Sequence, residues 1–233
     1  MSVIVRSQRT RRASARSSDD KDVQDVHERL VSAAAEVFAD SGYHASRISD
    51  IVRRAGVAQG TFYLYFQNKE AVFLELVNRF CTRILDETLG TQDPLRAGTL
   101  QDVIAQVRQM WRTLIVRCRE QPNLVRAILR EPRAVSPTVG DTVRGYHELV
   151  ANGLAGYVTV AAERGLVRLI EPQLAGWLVQ GLVERAMYYA IDIDPGADAE
   201  WLADQLMTIE GGGLLVRWDD AWLAGGATGA GSQ

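Results

Sequence analysis

The stretch GVAQGTFYLYFQNKEAV, residues 56–72, concentrates side chains that can bind a partner without covalent chemistry. Phe62 and Phe66 lie four residues apart and can anchor one face of a helix to a core. Tyr63 and Tyr65 then cannot both be buried on that same face. Each combines an apolar ring with a hydroxyl donor, which suits a side chain lying on a sugar-phosphate backbone. We interpret the stretch as half anchor and half contact surface.

The residues around these aromatics fit the same interpretation. Gly60 costs about 1 kcal/mol inside a helix, so its presence makes sense if the backbone must approach another surface closely. Lys69 stands near the start of the next predicted helix, where free amide groups add a positive end. A phosphate could sit at that end.

The residues that could support catalysis are scattered. His27, His44 and His147 lie far apart in the sequence, and no Ser/His/Asp, paired-carboxylate or metal motif accompanies them. Residues 211–213 are glycines without the Lys-Ser/Thr that completes a phosphate-binding loop. We therefore predict no catalytic residue, no metal site and no cofactor, and a protein that is not an enzyme.

The two cysteines and the hydropathy bound the class of protein. Cys81 and Cys118 are too few for a disulfide framework and lack metal-ligand spacing. Both fall on helical apolar patterns, so buried, inert thiols are favoured over a redox sensor. No apolar run approaches the roughly 20 residues of a membrane span, and no secretory signal follows the basic N-terminus. We expect a cytoplasmic protein without a membrane partner.

The ends of the chain differ in composition from its middle. Residues 1–21 are predicted to be a disordered, Arg-rich leader, and residues 223–233 a disordered Gly-rich tail. The charge pattern alone does not decide whether the leader binds a polyanion or only increases the solubility of the chain. The leader has no acidic residue before Asp19, and its arginines are Arg6, Arg9, Arg11, Arg12 and Arg16.

Residues 22–68 are predicted to form a compact group of short helices. Apolar residues recur at helical steps from Asp22 to Ala39, and Ser41-Gly42 closes this first helix. Ser46 can cap a second short helix that Gly56 ends, and a third helix is predicted from Val57 to Phe66. Two short helices joined by a glycine-bearing turn after a supporting helix are typical of a helix-turn-helix unit. The pattern alone also fits a small helical bundle.

Residues 69–222 are predicted to be helical throughout. A fourth helix capped by Asn68 runs to about Leu89, and a loop follows. No repeat and no convincing strand is present, so the fold class is all-α. Further helices are predicted around Val103–Cys118, from Pro122 to before Pro132, and over Pro137–Glu163, Pro172–Ile191 and Ala199–Ile209.

Residues 27–77 closely resemble the DNA-binding domain of the TetR family of one-component transcriptional regulators. The elements that carry the resemblance are the Phe-x-x-x-Gly-Tyr motif at Phe38, Gly42 and Tyr43, then Asp50-Ile51, Ala55-Gly56-Val57, Gly60-Thr61-Phe62-Tyr63, Tyr65-Phe66 and Lys69-Glu70. One position departs from the pattern, since Ala58 stands where the family usually has Ser. Loss of that hydroxyl removes a helix cap or a phosphate contact and affects the start of the third helix.

The resemblance implies a role for individual side chains at a DNA duplex. Gln59, Thr61 and Leu64, with Gly60 between them, would meet base edges at the front of the recognition helix. Glutamine suits adenine, and Thr or Leu can pack on a thymine methyl. Leu64 could equally be a partly exposed packing residue. The leader would be a minor-groove or backbone arm. Phosphates would be held by Ser46, Arg47, Tyr63, Tyr65 and Lys69.

The resemblance also implies a C-terminal helical domain for dimerisation. One small DNA-binding domain offers few contacts. Specific binding therefore requires a homodimer on a palindromic operator whose half-sites lie about one helical turn apart. The last two helices would form the interface, although some of their apolar residues must fill the core of the monomer. The candidates are Leu174, Leu178, Leu182, Met187, Trp201, Leu202, Leu206 and Ile209.

The middle helices would enclose a pocket for a small effector, expected to be lipophilic, that releases the regulator from DNA. A pocket needs large apolar groups and a few polar ones, although each candidate alone is more often a core residue. Repression is the commoner mode in the family. The pocket candidates are Met110, Trp111, Leu114, Cys118, Tyr146, His147, Tyr157, Trp177, Gln180, Glu184 and Tyr188. Salt-dependent binding to duplex DNA would separate this function from an enzyme, a redox sensor or a structural bundle.

Overall fold

The computed structural model describes the backbone of residues 3–91, 99–129, 132–168 and 171–214, and the side chains of residues 24–91, 99–129, 134–168 and 171–211. These residues form α-helices, with a 3-10 turn at Leu89–Thr91, a π-helical turn at Tyr189–Ile193, and no β-strand among them. None of the helices within the described part is both long and apolar enough to span a membrane. The helices are α1 (Val3–Ala45), α2 (Ile48–Ala55), α3 (Gln59–Tyr65), α4 (Lys69–Glu87), α5 (Leu100–Glu120), α6 (Pro122–Leu129), α7 (Pro132–Val135), α8 (Pro137–Glu163), α9 (Pro172–Tyr188) and α10 (Ala199–Leu214).

The chain divides into two compact units, Met1–Asn78 and Arg79–Gln233. The first half of α4 packs with the N-terminal helices, whereas the sequence predicts the boundary at residue 68. Helix α1 begins at Val3, but the side chains of the predicted leader lie outside the described residues, so its disorder stays a prediction. The predicted tail, residues 223–233, also lies outside the described part.

The N-terminal unit is built around aromatic and β-branched side chains. The backbone of α1 is non-helical at Gly42 (φ 76°), where the sequence predicts the first helix to end. The side chain of Asn68 accepts a hydrogen bond from the Ala71 amide at 2.8 Å and so caps α4 as predicted. The core of the unit contains Leu30, Val31, Ala34, Val37, Phe38, Ile51, Val52, Phe62, Phe66, Val72, Phe73 and Val77.

In the C-terminal unit, polar caps and prolines determine where the helices start. The Thr99 hydroxyl accepts the Asp102 amide at the start of α5, and the Ser136 hydroxyl accepts the Val139 amide at the start of α8. Pro122, Pro137 and Pro172 each stand at the first position of a helix, where the missing amide costs nothing. Helix α8 packs along α9, and α10 packs on α5.

A network of arginine contacts holds the π-helical turn after α9. The guanidinium of Arg119 donates to the carbonyls of Ala190 (3.1 Å), Asp194 (3.3 Å) and Ala197 (2.7 Å). Arg126 forms an ion pair with Asp192 at 2.7 Å. These contacts tie the loop between α9 and α10 to helices α5 and α6, and they end α9 three residues before the predicted Ile191.

Helices α8 and α9 come into backbone contact at one glycine. A Cβ atom on Gly176 would lie 2.2 Å from the carbonyl oxygen of Ala151, far inside van der Waals contact. Both residues are buried. The obstacle is backbone rather than a movable side chain, so only glycine allows this helix crossing.

Substitution of Gly176 should therefore destabilise the protein. We expect Gly176→Ala to lower the free energy of unfolding by about 1–3 kcal/mol, because α8 and α9 must move apart to admit the methyl group. Denaturant unfolding followed by circular dichroism measures the change.

Gly145→Ala is the matched control for that substitution. Gly145 lies in α8 with nothing within 4 Å of its Cβ position, so alanine should raise helix stability by about 0.5–1 kcal/mol. Equal effects at the two glycines would show that the helix crossing is not as close as described.

Candidate functional site

The turn between α2 and α3 is set by a left-handed glycine and by one arginine. Gly56 has φ 66° and ψ 37°, and the Val57 amide donates to the Val52 carbonyl at 3.1 Å. This pattern is a Schellman helix end. The guanidinium of Arg29 donates to the carbonyls of Ala55 (2.6 Å) and Gly56 (3.2 Å), so α1 holds the end of α2. Sequence reasoning missed Arg29, because nothing local to it indicates a partner 26 residues away.

Helix α3 separates its aromatic residues between the core and the surface. Phe62 is completely buried and Phe66 is nearly so. Tyr63 is 51% exposed and Leu64 is 82% exposed, and Tyr65 is half-buried. Phe62 and Phe66 are thus buried as predicted, while Tyr63 is exposed, and the role of the exposed side chains as a contact surface stays a prediction. Leu64 makes no substantial packing contribution at this exposure.

The start of α3 presents polar groups and backbone to solvent. Gln59 and Gly60 are exposed, and Thr61 is half-buried. Ala58 occupies the capping position without a side-chain hydrogen bond, and the Thr61 amide instead donates to the Ala58 carbonyl at 2.9 Å. The missing hydroxyl noted in the sequence therefore leaves the helix without a side-chain cap. We define the contact face as Arg47, Gln59, Gly60, Thr61, Tyr63, Leu64 and Tyr65.

Ser46 and Lys69 lie beneath this face rather than on it. Ser46 is 4% exposed, and its hydroxyl donates to the Tyr43 carbonyl at 2.7 Å. The ammonium of Lys69 donates to the carbonyls of Tyr43 (2.6 Å) and Ser46 (2.9 Å) and lies 4.3 Å from the centre of the Tyr43 ring. Burial lowers the pKa of Lys69 below its ordinary value. Both side chains are engaged within the fold, which the sequence prediction of phosphate contacts did not anticipate.

Arg47 lies at the start of α2, and His27 contacts the C-terminal end of α3. Arg47 is exposed at the start of α2, and its amide donates to the Asp50 carboxylate at 3.2 Å. The His27 ring stacks on Phe66 at 5.1 Å, and its Nε2 lies 3.2 Å from the Glu75 carboxylate. His27 thus supports the C-terminal end of α3 from α1, a role that its position in the sequence does not indicate.

The C-terminal unit contains a cavity of ≈ 110 Å³ that we call the main cavity. Its walls come from the second half of α4 and from helices α5, α6, α8 and α9. Most of the lining is aliphatic, and a polar group lies at His147, where Nδ1 is 3.3 Å from the Glu184 carboxylate. Gln180 also donates to Glu184 at 3.3 Å. Seven predicted pocket residues line this cavity: Met110, Leu114, Cys118, Tyr146, His147, Gln180 and Glu184.

A smaller cavity of ≈ 50 Å³, which we call the Glu210 cavity, adjoins the main one. The two cavities share Leu89, Met110 and Leu154, so these three side chains form the wall between them. Tyr157, a predicted pocket residue, lines the smaller cavity, and its hydroxyl donates to Gln106 at 3.3 Å. The other lining groups include Val103, Val107, Val158, Val167, Val179, Met207 and Glu210.

Three predicted pocket residues line neither cavity. Trp111 is completely buried, and its indole Nε1 donates to the Glu210 carboxylate at 2.8 Å. Trp177 is 47% exposed on α9, and Tyr188 lies under the guanidinium of Arg185, 5.7 Å from the ring centre. The sequence did not indicate Glu210 as a pocket residue, because its hydrogen-bond partner Trp111 is 99 positions away in the chain.

Burial controls the ionisation of the groups that line the cavities. Burial raises the pKa of Glu210, and the hydrogen bond from Trp111 opposes this rise without cancelling it. Burial, together with the nearby Glu210 charge, raises the pKa of Tyr157 to about 12. Burial also raises the pKa of the Cys81 thiol and that of the Cys118 thiol to about 12, which makes both poor nucleophiles. In the described ranges, no cluster of three or more His, Cys, Asp or Glu residues could hold a metal ion.

Comparisons with known proteins connect the N-terminal unit to one family. Residues 30–76 match the family model described as "Bacterial regulatory proteins, tetR family". The HTH-type transcriptional regulator YdgC of Bacillus subtilis is 44% identical over 73 residues, which are 28% of this chain and 37% of YdgC. The chain thus spans little more than a third of that relative.

Three further comparisons extend over most of the chain. The fatty acid metabolism regulator protein of Bacillus subtilis is 25% identical over 182 residues, covering 77% of this chain and 91% of that protein. The crystal structure of FadR from Bacillus subtilis in complex with stearoyl-CoA has a TM-score of 0.61 at 26% identity and covers 78% of this chain and 96% of FadR. The SmeT–triclosan complex has a TM-score of 0.68 at 18% identity, covering 82% of this chain and 91% of SmeT, which shows the shared fold.

The raised pKa of Glu210 predicts a specific pH dependence of stability. A buried carboxyl that holds its proton above the ordinary value of 4.5 costs no stability below that pH. As the pH rises from there through the raised folded-state pKa, the unfolded chain ionises first. Over this range the free energy of unfolding falls. The total loss is about 1.4 kcal/mol for each unit of difference between the folded-state and the unfolded-state pKa values of Glu210. Glu210→Gln removes this cost, so in denaturant unfolding its stability relative to the natural chain should increase as the pH rises above the ordinary value of 4.5 and level off above the raised folded-state pKa.

Glu200→Gln is the control for the pH dependence. Glu200 is an exposed carboxylate on the same helix and pairs with Arg112 at the surface. Its substitution should give a difference that does not grow with pH. Parallel pH profiles for the two variants would contradict the assignment of the cost to Glu210.

Proposed function

Because the chain belongs to the TetR family of bacterial regulatory proteins, we propose that it is a one-component transcriptional repressor. It binds a palindromic operator as a homodimer and is released by a small lipophilic effector. The observation that carries this proposal is the division of α3, in which Phe62 is buried while Tyr63 and Leu64 face solvent. A core helix has no need of such an outer surface.

The contact face suits a duplex at both the backbone and the bases. Gln59, Thr61 and Leu64 would read base edges in the major groove, and the exposed backbone at Gly60 permits close approach. Arg47 and the hydroxyls of Tyr63 and Tyr65 would hold phosphates. Ser46 and Lys69 support the face by joining the end of α1 to the start of α4 and are not direct contacts in this proposal.

The homodimer is supported by exposed apolar residues on α8 and α9. Leu149, Leu174 and Leu178 are each more than half exposed, and Trp177 is 47% exposed. Large apolar groups clustered on two packed helices indicate an interaction surface. Gly156 on α8 has open space around its Cβ position, which leaves room for a helix of the second protomer.

The apolar residues predicted for the interface on the last two helices divide between the core and the surface. Leu202 and Leu206 are each 5% exposed, and Met187 of α9 is 2% exposed, so all three belong to the core of their own unit. The apolar inner face of α10 packs on α5 instead. The dimer surface in this proposal is therefore the exposed side of the last two helices, α9 and α10, with Leu174, Leu178, Trp201 and Ile209, together with the neighbouring exposed residues of α8.

A lipophilic effector is supported by the cavities and by one relative. The lining of both cavities is mostly aliphatic, and the relative FadR binds stearoyl-CoA. Met110 forms part of the wall between the cavities, and an unbranched methionine re-packs easily. An elongated ligand could thus join the two spaces.

Release from DNA sets an energetic requirement on the effector. A tenfold preference for the conformation that does not bind DNA corresponds to only about 1.4 kcal/mol. Shifting the population from 1:99 to 99:1 requires a preference of about 10⁴-fold. The effector must therefore change the packing of the cavity walls and not merely fill existing space.

Selection of bound fragments from a random DNA library by the purified full-length protein tests the proposal. We expect a palindromic site. Tyr63→Ala should then weaken gel-shift affinity for the selected site and for random DNA alike, by about tenfold for the loss of a charge-assisted phosphate contact. Gln59→Ala should change the preferred base at one position of each half-site.

Gln205→Ala is the control for both the Tyr63 and the Gln59 variants. Gln205 is an exposed residue of α10, so this variant should bind DNA as the natural chain does. Unchanged affinity and sequence preference in Tyr63→Ala and Gln59→Ala would refute the contact face.

The dimer surface is tested by placing charge on it. Leu178→Glu should bury a carboxylate at the interface and convert the dimer into monomers of 25.7 kDa, which analytical ultracentrifugation measures. Affinity for the palindromic site should fall with it. Val116→Glu introduces the same change at an exposed position of α5, outside the proposed interface, and should leave the dimer intact.

A further inference from the structure

One acidic side chain lies among the apolar walls of the Glu210 cavity. The carboxyl of Glu210 lines this cavity beside Val107, Val179 and Met207. Its oxygen Oε2 accepts the hydrogen bond from Trp111 at 2.8 Å. In the part of the chain that the structure describes, the indole is the one hydrogen-bond partner of this carboxyl.

Such a carboxyl is incompletely satisfied. A carboxyl group offers about four lone-pair sites, and the indole uses one of them. A polar group without enough partners in an apolar environment costs free energy that a bound partner recovers. Trp111 is completely buried and fixes one oxygen of this carboxyl, and the carboxyl also lines the cavity.

We propose that Glu210 is a specificity-determining residue of the effector site and that it accepts a hydrogen bond from a hydroxyl or amino group on an otherwise apolar effector. This inference rests on the proposed function of the cavities as the effector site. It names a chemical class, an apolar skeleton with one hydrogen-bond donor, that shape alone does not indicate.

The surroundings of Glu210 disfavour the other ligand classes. A ligand carboxylate would place a second acidic group beside Glu210 in a medium of low polarity, which is unfavourable for both. A purely apolar ligand would leave the carboxyl with the indole as its partner and no second one. Tyr157 cannot compensate, because its hydroxyl donates to Gln106.

Binding of four matched probes to the full-length protein tests the proposal. The probes are 1-decanol, decylamine, nonyl methyl ether and decanoate, which are similar in length and differ in the polar group. Isothermal titration calorimetry should show the alcohol and the amine binding at least about tenfold tighter than the ether and decanoate, as expected for a hydrogen bond to a buried carboxyl.

Two substitutions at Glu210 separate its chemistry from its shape. Glu210→Leu should make the ether and the alcohol bind equally, because the cavity then has no acceptor. Glu210→Gln keeps an acceptor for the alcohol but removes the acidic group, so affinity for the amine alone should fall by about tenfold. Glu200→Gln, the exposed carboxylate of the same helix, should behave as the natural chain does.

Several results would overturn the inference. It is wrong if the natural chain binds none of the probes, if it binds the ether as tightly as the alcohol, or if Glu210→Leu keeps the original preference. Circular dichroism confirms folding of each variant, and Glu210→Gln decides the question if the leucine variant does not fold.

Gel shifts without probe distinguish this inference from the proposed function. The natural chain and the control Glu200→Gln should both bind the selected DNA, because this measurement tests the contact face in the N-terminal unit and not Glu210 in the C-terminal unit. Absence of DNA binding by the natural chain would refute the proposed function, while the calorimetry would still decide the role of Glu210.

Discussion

The contact face depends on the burial of Phe62 and Phe66. Helix α3 has only seven residues, and so short a helix is not stable in water by itself. Its position comes from these two rings, which are buried in the core of the N-terminal unit and contact each other there, and which fix the rotation of the helix about its axis. That rotation alone decides that Tyr63 and Leu64 face outward, so the composition of this exposed surface is a consequence of core packing.

Local signals made most of the fold predictable from the sequence. Pro137 and the left-handed Gly165 bracket α8, and its predicted bounds agree with the structure. Asn68 and Gly56 likewise mark a helix start and a helix end through their own backbone chemistry. The exposed face of α3 could be predicted from the same kind of local pattern, because the four-residue spacing of Phe62 and Phe66 defines the inner face of the helix.

The remaining features depend on contacts between distant parts of the chain. Lys69 is a residue type that commonly binds phosphate, yet its ammonium group donates to two carbonyls near the end of α1. The apolar period of α10 gave no indication of whether it faces α5 or a second protomer. Glu210 resembles any helix-surface glutamate until α5 brings Trp111 against it. Tertiary packing decides each of these outcomes, and the local sequence pattern contains no information about it.

The uncapped start of α3 has a thermodynamic consequence. Ala58 supplies no side-chain acceptor to the first turn, which also contains Gly60. This turn therefore has a low intrinsic helix propensity, so any ordering of it on binding to a partner would cost conformational entropy. Such an ordering penalty lowers affinity for every target equally, so it makes the complex easier to dissociate without blurring the discrimination between targets.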